Sequence, residues 1–161
     1  MLLRVAVLSL AGGFRVEKMV SEVEVKWIEG FRLKLKVKDF PEIMLDEPPE
    51  MGGTDTGPCP VHLLAASVAS CLLASYLYCA KKARVKLKGA SATARAESEW
   101  EKGRMRVKRV MVGLELTPAG GVSEKRAELC ASVFRQFCIV TESVTRGLPV
   151  EVEVKISQNK P

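Results

Sequence analysis

The chain has 161 residues, 47% of them hydrophobic, which is enough for one domain with a real core and too little for two independent ones. A net charge of +6 would suit a polyanion, yet the basic residues are dispersed in strand-like runs such as 32–38 and 104–109, and the nine aromatics are not interleaved with them. Nucleic acid is therefore not an expected partner. Five cysteines without a CxxC pair, together with a single histidine, exclude the usual structural zinc sets, and no metal or cofactor is expected.

Residues 1–18 contain a short apolar stretch and read as an N-terminal extension, either an edge strand or an over-long start, ahead of a single domain over 19–161. Val23, Val25 and Trp27 alternate with charged residues, Glu29-Gly30 turns, and Phe31, Leu33, Leu35 and Val37 alternate again, which predicts an antiparallel hairpin. Ile43 to Leu45 is a short third strand, and DEPPEMGGTDTG after it is a loop. An apolar segment runs from Pro60 to Ala80. Two longer strands, Val85 to Glu97 and Met105 to Leu116, follow it, joined near Gly103. The alternation in the second slips near Lys108-Arg109, as a bulge would produce.

Ser123 is a plausible N-cap for an amphipathic helix in which Leu129, Cys130, Val133, Phe134, Phe137 and Cys138 recur at three and four residues. Thr141 to Arg146 continues as helix up to Gly147, and Val150, Val152, Val154 and Ile156 alternate as a last strand. The order β-β-β-α-β-β-α-β with hairpin links argues an α+β fold and not a doubly wound sheet.

The segment Pro60 to Ala80 is long enough to cross a bilayer. Its alanines, three serines and His62 make it a poor lipid-facing span, and strand-rich sequence flanks it, so it is read as a buried helix and no membrane is expected. A helix apolar on all sides must be covered on all sides, more than one small domain can supply, so a homodimer is expected. Only three Asn and Gln residues occur in the chain, a depletion that suggests adaptation to heat.

The cysteines leave alternatives open. Cys79 and Cys130 are read as small apolar core residues, Cys59 at the helix entrance as a more exposed thiol, and Cys71 as either a buried residue or a reactive one. At 100° per residue His62 faces away from Cys71, which favours a hydrogen-bonded structural role near the helix start.

The succession GPCPVHLLAASVASCLL, a strand pair, ELCASVFRQFCIV and TRGLPVEVEV, covering roughly Val23 to Ile156, resembles the OsmC/Ohr family of osmotically induced and organic hydroperoxide resistance proteins. The resemblance implies an α+β fold, with antiparallel curved sheets packed on two long central helices in an intertwined homodimer. It also implies a cytoplasmic, stress-related, thiol-dependent peroxidase that takes a peroxide substrate and a dithiol reductant. Cys71 corresponds to the peroxidatic thiol, Cys138 to the resolving one, and Arg32 is the candidate for the arginine beside the first. The family's glutamate ten residues before the peroxidatic cysteine is Val61 here. Glu42, Asp46, Glu47, Glu50 or Asp55 could hold Arg32 in its place. The rival expectation is a noncatalytic dimer that binds a small hydrophobic ligand in its interhelical groove.

Overall fold

The structure, a computed structural model, describes residues 18–121 and 123–155. The expected N-terminal extension lies outside the described residues except for Lys18. Strands β1 (Glu24–Glu29), β2 (Arg32–Lys36) and β3 (Ile43–Leu45) form an antiparallel sheet in that order. Gly30, at φ +51°, makes the turn, and its carbonyl accepts a hydrogen bond from Trp27 Nε1 at 2.9 Å. The register pairs Val25 with Leu35, Trp27 with Leu33, Leu33 with Leu45 and Leu35 with Ile43, so these residues share one apolar face. The β1 end of that face has little cover from its own chain, with Trp27 71% exposed, whereas Leu45 is buried.

The loop after β3 is built on a buried carboxylate. Asp46 Oδ2 accepts from the N–H and hydroxyl of both Thr54 and Thr56, and its Oδ1 accepts from the Glu47 N–H. The chain doubles back so tightly that a Cβ at Gly53 would stand 1.8 Å from the Glu47 carbonyl oxygen, which explains the glycine there. The Thr54 hydroxyl above all holds the Asp46 carboxyl well below the usual carboxylate range, against the opposing effect of burial. Because the folded pKa is depressed, the stabilisation is present above the unfolded value of about 4 and is lost as pH falls below it. Asp46→Asn is expected to lower the urea midpoint at pH 7 and to flatten its decline in acid, measured by urea titrations between neutral pH and pH 2.

Helix α1 (Pro60–Lys82) starts with Pro60 at its first position, where no N–H is needed. Cys59 is the N-cap, and its N–H donates to His62 Nδ1 at 3.2 Å. This gives His62 the structural role expected of it and places Cys59, half-buried, in the same cap. The helix packs on a long hairpin, β4 (Leu87–Glu101) and β5 (Arg104–Pro118). On one face of that hairpin Ala90, Ala92, Ala94 and Ala96 pair with Leu116, Leu114, Val112 and Val110, the alanines leaving room for a helix to approach. Glu97 pairs with Arg109 and Ser98 with Val107, so Lys108 is the extra residue of the bulge seen in the sequence.

α2 (Glu124–Val133) is not continuous to Cys138 as its periodicity suggested. A 3-10 turn, Phe134–Phe137, interrupts it, and α3 (Ile139–Arg146) begins afresh with Cys138 as N-cap. Val133, the last residue of α2, has φ stretched to −117° at ψ −19°, and Tyr76 of α1 meets Phe134 edge-on with ring centres 5.6 Å apart. Only α1 is a long helix among the described residues. The last expected strand is corrected as well: residues 150–155 form no strand here, and Val150, Val152 and Val154 are at least 75% exposed. Residue 156 lies outside the described residues. A strand exists only against an edge that completes its hydrogen bonds, and no described strand pairs with this segment.

By length and composition α1 could cross a membrane. Instead it lies against the hairpin, α2, the 3-10 turn and α3, with Ala65, Val68, Ala69, Leu72, Ser75, Tyr76, Cys79 and Ala80 buried.

Candidate active site

Cys71 sits midway along α1, half-buried. Cys138 lies at the break between α2 and α3, completely buried. The fold brings these sequence-remote thiols into one cluster, in which Cys71 packs against the buried group of Val68, Leu72 and Cys138, beside Val110 and Val140. The break in the second helical region makes this possible, because it presents the first N–H groups of α3, unsatisfied within the helix, to both sulfurs. The Thr141 N–H donates to Cys138 Sγ at 3.4 Å, and the Thr141 hydroxyl lies 3.0 Å from the same sulfur. The N–H groups of Val140 and Ile139 act on Cys71.

The two thiols differ in their proton affinity. Burial, then hydrogen bonding to Cys138 and repulsion from its charge, push the Cys71 thiol up, and the Val140 and Ile139 N–H groups only partly offset this. Burial also raises Cys138, but hydrogen bonds with the Thr141 side chain and backbone, Cys71 and Ser75 outweigh it and leave that thiol below its ordinary value. Of the two, Cys138 is therefore the more acidic thiol.

Arg32 is not brought to Cys71 within the protomer, and no cation is among the groups that shift Cys71. Its guanidinium pairs with Glu29, three residues before it across the β1–β2 turn, and not with Glu42, Asp46, Glu47, Glu50 or Asp55. Glu42 is engaged with Lys34 at 3.0 Å. Arg32 lines an open cleft of about 320 Å³ with Phe31, Asp46, Gly52 and Thr54, and its Nε is buried without an acceptor. A second cleft, of about 390 Å³, lies between α1, β5 and α3 beside the thiol pair. Leu64, Val68, Val110 and Val144 give it apolar walls, and Lys108 of the bulge reaches it. Among the described residues no group of three or more His, Cys, Asp or Glu side chains is placed to hold a metal ion.

Sequence reasoning missed one arrangement. Cys79 and Cys130, read only as core residues, are buried as expected but face each other across α1 and α2, with their sulfurs 2.6 Å apart. The signal was available: Cys79 lies eight residues after Cys71, and Cys130 eight residues before Cys138. Two helical segments running in opposite directions, with the outer pair in contact, bring the inner pair together too.

Comparison with known proteins agrees with the fold. The family model for OsmC-like protein matches residues 53–153, and no curated protein matches the chain. An OsmC-like protein of unknown function from Vibrio cholerae superposes with a TM-score of 0.70 at 14% identity, covering 78% of this chain and 93% of its own. An organic hydroperoxide resistance protein from Legionella pneumophila gives 0.63 at 18% identity, with 80% and 90% covered. One from Elizabethkingia anophelis gives 0.62 at 22%, with 81% and 91% covered. At these identities the likeness is one of fold, and it extends over nearly the whole of each relative. With an antiparallel α+β architecture and a family match over most of its length, the chain belongs to the OsmC-like protein family.

Proposed function

We propose that the protein is a cytoplasmic thiol peroxidase that reduces organic hydroperoxides or hydrogen peroxide, with Cys71 as the attacking sulfur and Cys138 as the resolving one. The observation that carries the reading is the contact of these two thiols, one reachable from solvent and the other sealed beneath it. Cys71 is the member that a substrate can meet. Its thiolate attacks the outer oxygen of ROOH, the O–O bond breaks, and ROH leaves with a proton while Cys71 becomes a sulfenic acid. Cys138, already the more acidic thiol, then attacks the sulfenic sulfur and expels water to leave a disulfide. A dithiol reductant restores both thiols and is itself oxidised to a disulfide. The apolar cleft between α1, β5 and α3 suits the alkyl part of an organic hydroperoxide.

The first step needs a cation, since burial keeps Cys71 protonated. Arg32 of a second copy is our candidate, because its buried Nε lacks an acceptor and its own chain does not carry it to Cys71. A homodimer would also cover the apolar face of the β1–β3 sheet, the exposed stripe Ala66, Ser70, Ala74 and Leu77 of α1, and the extended 150–155 segment. Sedimentation is expected to give twice the 17.6 kDa chain mass, and a stable monomer would count against this. Arg32→Ala is expected to move the pH midpoint of Cys71 alkylation by iodoacetamide upward, because removal of a nearby cation favours the protonated thiol. An unchanged midpoint removes Arg32 from the site.

The test of the function is hydroperoxide consumption with dithiothreitol or dihydrolipoamide as reductant. Equal rates for the wild type and Cys71→Ser would overturn it and favour a noncatalytic dimer that holds a small hydrophobic ligand.

A further inference from the structure

Cys79 and Cys130 take no part in the chemistry above, yet their placement is more constrained than that of two core thiols. Both are buried, at 4% and 1% exposure, among Tyr76, Ala80 and Val85, with Ala127 and Phe134 closing the cluster. Their sulfurs stand 2.6 Å apart, closer than unbonded sulfurs normally stand and about half an ångström beyond the ~2.05 Å bond. No cation is among the groups that shift Cys130. Burial, then hydrogen bonding to Cys79 and repulsion from its charge, push the Cys130 thiol up to about 12, so in the folded state Cys130 is poor in thiolate and unsuited to turnover. The surroundings suit a bond that is made once and kept.

We propose that Cys79 and Cys130 are joined in a second, structural disulfide that ties α1 to α2. The oxidant is a low-molecular-weight disulfide acting while the chain is still open. One cysteine, as thiolate, attacks that disulfide and releases one small thiolate; the other then attacks the mixed disulfide and releases the second. Two protein thiols lose two electrons and two protons, and the small disulfide becomes two thiols. The bond closes a loop spanning 51 positions. It also anchors α2 immediately before the 3-10 turn that leads to Cys138, so it holds the resolving cysteine against Cys71 without joining the reaction. Intracellular proteins adapted to heat use such bonds, in keeping with the scarcity of Asn and Gln in this chain.

The test uses the full-length Cys71→Ser/Cys138→Ser protein, which retains Cys59, Cys79 and Cys130. It is refolded from denaturant with glutathione disulfide, then alkylated with iodoacetamide under denaturing conditions and weighed intact. One alkylated thiol is expected, against three after full reduction, with a tryptic peptide linking Cys79 to Cys130. The thermal midpoint of the oxidised form is expected to exceed that of the reduced form by on the order of 10 °C. Three alkylated thiols, a bond involving Cys59, or a midpoint unmoved by reduction would overturn the proposal. Should the variant fail to fold, wild-type protein refolded, alkylated and mapped in the same way decides by the presence or absence of the same linked peptide. Neither readout involves peroxide, so the outcome is independent of the proposed function.

Discussion

Mixed with excess alkyl hydroperoxide and no reductant, Cys138→Ser protein is expected to form one alcohol per chain in its first, fast phase, leaving Cys71 as a sulfenic acid that dimedone captures. The wild type is expected to form one alcohol as well, but to finish as a Cys71–Cys138 disulfide that dimedone does not label. Cys71→Ser should show no fast phase, because Cys138 is sealed from substrate however acidic it is. The asymmetry follows from burial and hydrogen bonding together: access selects the first nucleophile, and the α3 N-terminus prepares the second. A fast phase retained in Cys71→Ser and lost in Cys138→Ser would reverse the two roles. Dimedone labelling followed by peptide mapping makes the distinction.

Tyr76→Ala is expected to cost about 3–5 kcal/mol of stability, by analogy with large aromatic truncations in well-packed cores. Tyr76 is 2% exposed, meets Phe134 edge-on, and lies beside both Cys79 and Cys130. Its removal opens a cavity where α1, α2 and the 3-10 turn converge, and so loosens the element that presents Cys138. Urea unfolding followed by circular dichroism measures the loss. A change under about 1 kcal/mol would mean that the surrounding side chains collapse into the space, contrary to the packing described. Thermodynamic damage should be accompanied by slower disulfide formation between Cys71 and Cys138, because the two thiols then spend less time in contact.

Most local elements of this fold were legible from period and turn chemistry. The alternation of Val25 and Trp27 with charged residues, the Glu29-Gly30 turn and the Ile43–Leu45 strand correspond to the observed sheet, and the slip at Lys108 is a bulge in the register. These features depend on neighbours a few residues apart, where side-chain direction follows from backbone geometry alone. Pairing of Cys71 with Cys138 was visible only through family resemblance, since no local pattern reports a contact between positions so remote. Val61 stands where the family carries a glutamate, and none of the loop carboxylates offered to Arg32 in its place holds it within the protomer; Glu29 does.

What the sequence by itself determined, then, is most of the elements and the side of each that is apolar, because a period of 2.0 or 3.6 is a property of one segment. Tertiary structure decided where helix gives way at residues 134–138, which carboxylate organises the loop, and which thiols meet, because each depends on what another part of the chain places alongside. The same reason leaves residues 150–155 without a strand despite their alternating valines: extended backbone becomes a strand only when a neighbouring edge completes its hydrogen bonds.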